Sequence, residues 1–309
     1  MPTNRYTGPA PTTIAITGAT GLIGTALVQR LRSRGHAVRR LVRSTRGQQV
    51  DDVVWDPARG PLDPAALTDV SAVVHLAGEP VAQRWSASRK AAIRESRVGS
   101  TTALAAAISG MSGPPPVLLS GSAVGYYGDR QEELLDEGSR PGDDFLAEVT
   151  QEWERATLPA ARAGARVVLM RTGVVLDPSG GALARLLPPF RLGAGGPLGN
   201  GRQWMSWISM EDQLSAIECA LWCDEVRGPV NFVAPNPVTN AEFATTLGRV
   251  LARPAIIPVP RLALELLFGE MAGATLLASQ RAMPRALVAA GYEFEYPTLE
   301  QALRHAVTQ

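Results

Sequence analysis

The chain has 309 residues, 45% of them hydrophobic and 19% charged, with a net charge of +1. That balance describes a globular protein with a sizeable core and excludes a nucleic-acid or membrane-surface binder that works by excess positive charge. No apolar run approaches the ~18 residues of a membrane span, and residues 1–13 read as a loose polar tail without the apolar centre of a signal peptide.

The first patterned stretch is Ile14–Ile16, an apolar run long enough for a buried strand. Gly18, Gly21 and Gly24 follow as G-x-x-G-x-x-G. An amphipathic helix then places Leu22, Ala26, Leu27 and Leu31 on one side and Gln29, Arg30 and Arg32 on the other. Strand, glycine turn and helix open a dinucleotide-binding unit. Gly18 takes turn dihedrals that a side chain resists. Gly21 leaves room for a pyrophosphate, and Gly24 lets the helix lie against the strand. Thr20, Leu22 and Ile23 complete the expected phosphate cradle at the helix N-terminus, where unpaired N–H groups favour anions.

Ala37–Val42 reads as the second strand, ending in Arg43, Ser44, Thr45 and Arg46. An NAD site places an acid here for the ribose 2′-OH. Arg43 and Ser44 are expected instead to take a 2′-phosphate, because a guanidinium pairs phosphate through parallel hydrogen bonds. The expected cofactor is therefore NADP(H). Val53–Trp55 reads as a third strand and Ala72–Leu76 as a fourth, with Leu76, Ala77 and Gly78 where a dinucleotide crosses an open sheet. Trp85–Ile108 has a helical pattern, with Lys90, Arg94 and Arg97 on one face, open either to an anion or to solvent. Lys90 is the only lysine of the chain.

Val117–Ser120 is a fifth strand running into Gly121–Gly128. A helix over residues 144–163 and a strand over Arg166–Arg171 follow. The alternation predicts an α/β doubly wound parallel sheet of the Rossmann type. The expected organisation is a dinucleotide-binding domain over 14–175 and a smaller C-terminal α/β region over 176–309 that covers the substrate. In that region, residues 193–201 form a glycine-rich loop, Met210–Cys223 a helix, Val230–Val233 and Ile256–Val259 strands, and 262–278 and 299–306 helices. Gln203–Trp207 is dense in aromatic and polar groups and reads as a pocket lining. Cys219 and Cys223 fit neither a redox nor a zinc spacing, and the three histidines are scattered, so no metal site is expected.

The phrases at Gly18–Gly24, Leu76–Gly78, Arg84–Trp85, Ser96–Val98, Ser120–Gly128 and Val230–Asn240 resemble an atypical subgroup of the extended short-chain dehydrogenase/reductases. Its members are called epimerase family proteins or nucleoside-diphosphate-sugar epimerases. The resemblance spans nearly the whole chain. It implies an oxidoreductase on a small molecule, with Leu76–Gly78, Arg97, Ser120, Arg171 and Gly173 beside the cofactor. It also implies Glu79, Arg84, Trp85, Gln203, Trp204 and Ser206 beside the substrate. In the wider family Ser, Tyr and Lys carry the chemistry. Ser122 matches the Ser, but Phe145 stands where the Tyr belongs and Val149 where the Lys belongs. Neither transfers a proton nor binds a ribose hydroxyl. Tyr126 or Tyr127 is then the expected proton donor. A tyrosine without a lysine partner keeps a pKa near ~10, adequate for donation. Two other functions stay open: a cofactor-binding regulatory protein with little turnover, and a nucleotide-sugar epimerase. A cytoplasmic monomer or homodimer is expected.

Overall fold

The computed structural model describes residues 10–45 and 47–308. Arg46, named above with the end of the second strand, lies outside them. Strand β1 (Thr13–Thr17) is followed by helix α1 (Leu22–Ser33), β2 (Ala37–Val42), β3 (Val53–Val54), β4 (Val70–His75), α2 (Ala87–Ser109) and β5 (Val117–Ala123). Next come β6 (Leu134–Leu135), α3 (Phe145–Arg155), α4 (Leu158–Arg162), β7 (Val167–Thr172), β8 (Val174–Leu176) and α5 (Gly181–Arg191). Then follow β9 (Trp204–Met205), β10 (Trp207–Ser209), α6 (Met210–Trp222), β11 (Gly228–Phe232), β12 (Val238–Thr239) and α7 (Asn240–Leu251). The chain closes with α8 (Arg261–Phe268), β13 (Arg281–Ala282), α9 (Arg285–Ala289) and α10 (Leu299–Thr308).

Seven strands form one parallel sheet in the order β11-β7-β5-β4-β1-β2-β3. This is the doubly wound α/β fold expected of the alternation. Strand order reverses between β1 and β4, so a crevice opens beyond their C-terminal ends. One apolar layer, including Ile14, Ile16, Leu27 and Ile217, lies on one face; a second, including Ala15, Val73, Leu104 and Leu118, lies on the other. A third cluster around Trp207, Phe243 and Leu303 forms the core of the later part of the chain. That part is interleaved with the first: β11 pairs with β7 from Gly228↔Val168 to Phe232↔Thr172 and completes the sheet.

Element ends follow local chemistry. The Ser86 side chain caps α2 by accepting from the Arg89 N–H, so the helix begins at Ala87. The expected helix over 144–163 divides, because Pro159 cannot donate to a continuing turn. Residues 256–259 do not form the expected strand. Pro254, Pro258 and Pro260 punctuate the segment, Ile256 is exposed, and Val259 makes only an isolated bridge to Leu198. The expected helix over 262–278 stops at Phe268, where Gly269 takes φ +62°, and a π turn covers Ala272–Leu276. Helix α7, absent from the sequence reading, carries a reciprocal capping box between Thr239 and Glu242. Among the described residues no helix is long and apolar enough to cross a membrane.

Candidate functional site

The crevice at the strand-order reversal is a cleft of about 810 Å³. Thr17–Gly21, Arg40–Ser44, Trp55–Ala58 and Leu76–Pro80 line it, from the ends of β1, β2, β3 and β4. Gly18 has φ +65°, and a Cβ there would lie 2.6 Å from the Leu76 carbonyl carbon. At Gly24 a Cβ would lie 2.1 Å from Gly18 O, so α1 is pressed against the turn. At Gly21 a Cβ would meet only Gly18 O, at 3.3 Å; the other directions are open. The α1 N-terminus has no side-chain cap and no acid in its first turn, which leaves the N–H groups of Leu22 and Ile23 without a side-chain acceptor. An open cradle with uncapped donors suits a pyrophosphate.

Arg43 and Ser44 stand at the mouth of this cleft. The Arg43 side chain is 76% exposed, with a loose 3.4 Å contact to Glu79. Glu79 also pairs with Arg89. Arg97 turns away from Lys90 and Arg94 into the protein. It donates to the carbonyls of Glu79 and Ile93, lies 5.2 Å from the Trp153 ring centroid, and would crowd any Cβ at Gly78. Burial pulls its pKa down to about 10, against the opposing influence of Glu79. Beneath the cleft His75 is fully buried. Thr17 Oγ1 accepts from the N–H of Leu76 and of Ala77, so its proton points to His75 Nδ1, 2.7 Å away. Ser100 Oγ donates to Ser96 O and receives the His75 Nε2 proton at 3.2 Å. Burial pulls the His75 pKa down to about 4, which keeps the imidazole neutral.

The residues expected to carry the chemistry are not all placed alike. Ser122 is 6% exposed, and its Oγ donates to Glu154 Oε1 at 2.6 Å. Arg171, expected beside the cofactor, is buried and bonds Glu154 through Nε and Nη2. Burial works against its charge, but the Glu154 carboxylate holds its pKa above the ordinary value. Tyr127 is fully buried; its hydroxyl donates to Asn231 Oδ1 at 2.7 Å and accepts from Arg171 Nη1. Burial pushes its pKa up to about 12, beyond the opposing pull of Arg171. Ser122, Tyr127 and Arg171 are thus bound into an interior network around Glu154, a residue the sequence reading passed over. Tyr126 differs. It is half-buried, the Arg171 guanidinium lies 3.5 Å from its ring centroid, and among the described residues no bond occupies its hydroxyl. Ser120 is fully buried with a weak bond to Gly121 O. Gly173 lies where a Cβ would strike Ser206 O at 2.5 Å.

Phe145 packs edge-on against Trp85, with centroids 5.1 Å apart, and Val149 is buried. Lys90 Nζ lies 4.9 Å from the Phe145 centroid and pairs with Glu270 at 2.6 Å. The one lysine, on another helix, therefore does stand beside the Phe145 position. Arg84 donates to Leu266 O. The side chains of Gln203 and Ser206, expected beside substrate, are engaged with backbone: Gln203 donates to Leu198 O and Leu276 O, and Ser206 bridges Gln280 O and Ala282 N. Trp204 is half-buried with Arg281 stacked on it.

A parallel sheet of this order with a glycine cradle at its switch point defines a dinucleotide-binding α/β protein. The chain belongs to the NAD dependent epimerase/dehydratase family, whose model matches residues 14–232; a domain of unknown function matches residues 259–306. It is 46% identical over 297 residues to the epimerase family protein Mb2239 of Mycobacterium bovis, covering 96% of this chain and 98% of that one. It is 38% identical over 299 residues to the human epimerase family protein SDR39U1, covering 95% and 99%. The crystal structure of human SDR39U1 (isoform 2) with NADPH superposes with a TM-score of 0.88 at 36% identity, covering 96% of this chain and 100% of that one. The nucleoside-diphosphate sugar epimerase from Corynebacterium glutamicum gives 0.80 at 40% identity, covering 96% and 58%.

Proposed function

We propose that the chain is an NADP(H)-dependent oxidoreductase that reduces a carbonyl group of a small molecule. The observation that carries this reading is the cleft itself, with open space at Gly21 and an exposed, loosely held Arg43 at its rim. Gly18, Thr20, Gly21, Leu22 and Ile23 would hold the pyrophosphate, Arg43 and Ser44 the 2′-phosphate, and Leu76–Gly78 the path onward. NADPH when bound supplies hydride. The protein's part is to orient, to exclude water and to give a proton. Tyr126 is the candidate donor, since among the described residues no bond occupies its hydroxyl and the Arg171 guanidinium, 3.5 Å from its ring centroid, holds the ring from one face. With no lysine at position 149, this arrangement suits giving a proton better than taking one.

The crystal structure of human SDR39U1 with NADPH supports the cofactor choice. Calorimetry with NADPH and NADH, followed by a screen of aldehydes, ketones and sugar nucleotides for NADPH oxidation, tests the reading. Absence of NADPH binding would end it. The packing of Phe145 on Trp85 and the burial of Val149 favour a second reading, a cofactor-binding regulator with little turnover. Tight NADPH binding without hydride transfer to any compound would select it.

A further inference from the structure

Arg281 is a half-buried cation with no counter-charge among the described residues. Its guanidinium carbon lies 4.0 Å from the Trp204 ring centroid. Its Nε is sealed from solvent without an acceptor, and among the described residues its guanidinium makes no hydrogen bond or ion pair. Two other arginines also have a sealed Nε that makes no well-formed hydrogen bond, yet both face an acid there: Arg94 Nε lies 3.1 Å from Glu152 and Arg166 Nε 3.3 Å from Asp224, and Arg166 also donates to three backbone carbonyls. An uncompensated charge at a partly dry position is costly, and natural proteins seldom keep one without a partner.

The pair is also rigidly held. Gln280 N–H donates to Trp204 O, and Trp204 N–H donates to Ser279 Oγ. Ser206 Oγ donates to Gln280 O and accepts from Ala282 N–H. Gln280 Nε2 reaches Gly128 O, directly after Tyr126 and Tyr127. Bonds on both sides of Arg281 thus pin its backbone to the strand that carries Trp204. A guanidinium stacked on an indole keeps its in-plane Nη donors free, and those donors match the two oxygens of a planar or tetrahedral oxyanion. Stacking also removes rotamer freedom before a ligand arrives.

We infer that Arg281 stacked on Trp204 is a preformed binding site for an oxyanion group, a carboxylate or a phosphate, of a small-molecule ligand. The site is separate from the glycine cradle and does not depend on the cofactor assignment.

The test uses the full chain, with and without saturating NADPH, titrated at constant ionic strength with inorganic phosphate, malonate and UDP. Binding is followed by calorimetry and by tryptophan fluorescence. At least one probe should bind with a change in fluorescence that Trp204→Phe abolishes. Arg281→Met should weaken that binding at least tenfold while leaving NADPH affinity within twofold. Arg281→Lys should retain part of it, because the charge stays but the fork is lost. Phosphate or UDP binding without malonate identifies a phosphate site, and the reverse a carboxylate site. Should Arg281→Met fail to fold, the Arg281 Nε–H signal of the ¹⁵N-labelled wild type replaces it and should shift on titration. Binding undiminished in Arg281→Met, an unmoved Arg281 signal, or no binding of any probe to the wild type would overturn the inference. Loss of NADPH binding with anion binding intact would count against the proposed function alone.

Discussion

Glu154 and Arg171 meet side by side in the interior, Nε to Oε1 at 2.8 Å and Nη2 to Oε2 at 2.9 Å. Ser122 donates to the same carboxylate and Tyr127 accepts from the same guanidinium. Removing one member of such a pair strands a buried charge, at a typical cost of ~3–5 kcal/mol. Glu154→Ala should therefore lower stability by that order in urea denaturation. A loss below about 1 kcal/mol, the scale of an exposed pair, would show that water already screens it.

The three glycines of the turn should separate by function. Gly24→Ala drives a Cβ to 2.1 Å from Gly18 O and should cost about 1–3 kcal/mol through strain. Gly21→Val meets little in the protein itself, so its melting temperature should stay near wild type while NADPH binding disappears. Calorimetry beside thermal melting distinguishes the two; a Gly21→Val chain that still binds NADPH would remove this turn from the site.

Arg43→Ala should weaken NADPH by roughly ten- to a hundredfold, the equivalent of losing a charge-assisted hydrogen bond worth ~1.5–3 kcal/mol. NADH should be little affected, since it carries no 2′-phosphate. Equal losses for both would mean that Arg43 reads something else.

His75 gives a pH dependence of stability. Its pKa is about 4 folded against 6.5 for the ordinary side chain, so between these values the unfolded chain binds more protons. Stability should rise with pH across this window and be lost as pH falls through it, by about 3 kcal/mol in all. His75→Gln should flatten the slope of urea stability between these limits. An unchanged slope would place the acid sensitivity in other groups.

Tyr126 and Tyr127 should behave oppositely. If turnover is found, Tyr126→Phe should reduce it by the 10²–10⁴ typical of a general acid, with NADPH affinity retained. Tyr127→Phe breaks bonds to Asn231 and Arg171 and should instead cost stability, about 1–3 kcal/mol for the buried partners it strands. The reverse assignment of the two losses would make Tyr127 the donor.

What could be read from the sequence was local. The strand at Ile14–Ile16, the turn at Gly18–Gly24 and helix α1 are specified within a dozen residues by apolar periodicity and by glycines that sterics require. The resemblance that sets Phe145 and Val149 where the wider family has Tyr and Lys is likewise drawn in one dimension. Breaks in the later helices were missed where single residues, Pro159 and Gly269, outweighed the surrounding pattern. Tertiary structure alone decided which polar groups are already spent. Tyr127 meets Asn231 across 104 positions, and Lys90 meets Glu270 across 180. Two adjacent tyrosines look alike in a sequence because burial and partners come from segments far along the chain. Packing sends Tyr127 into the core and leaves the Tyr126 hydroxyl available, and it stacks Arg281 on Trp204, 77 residues away, with no acid among the described residues to answer its charge.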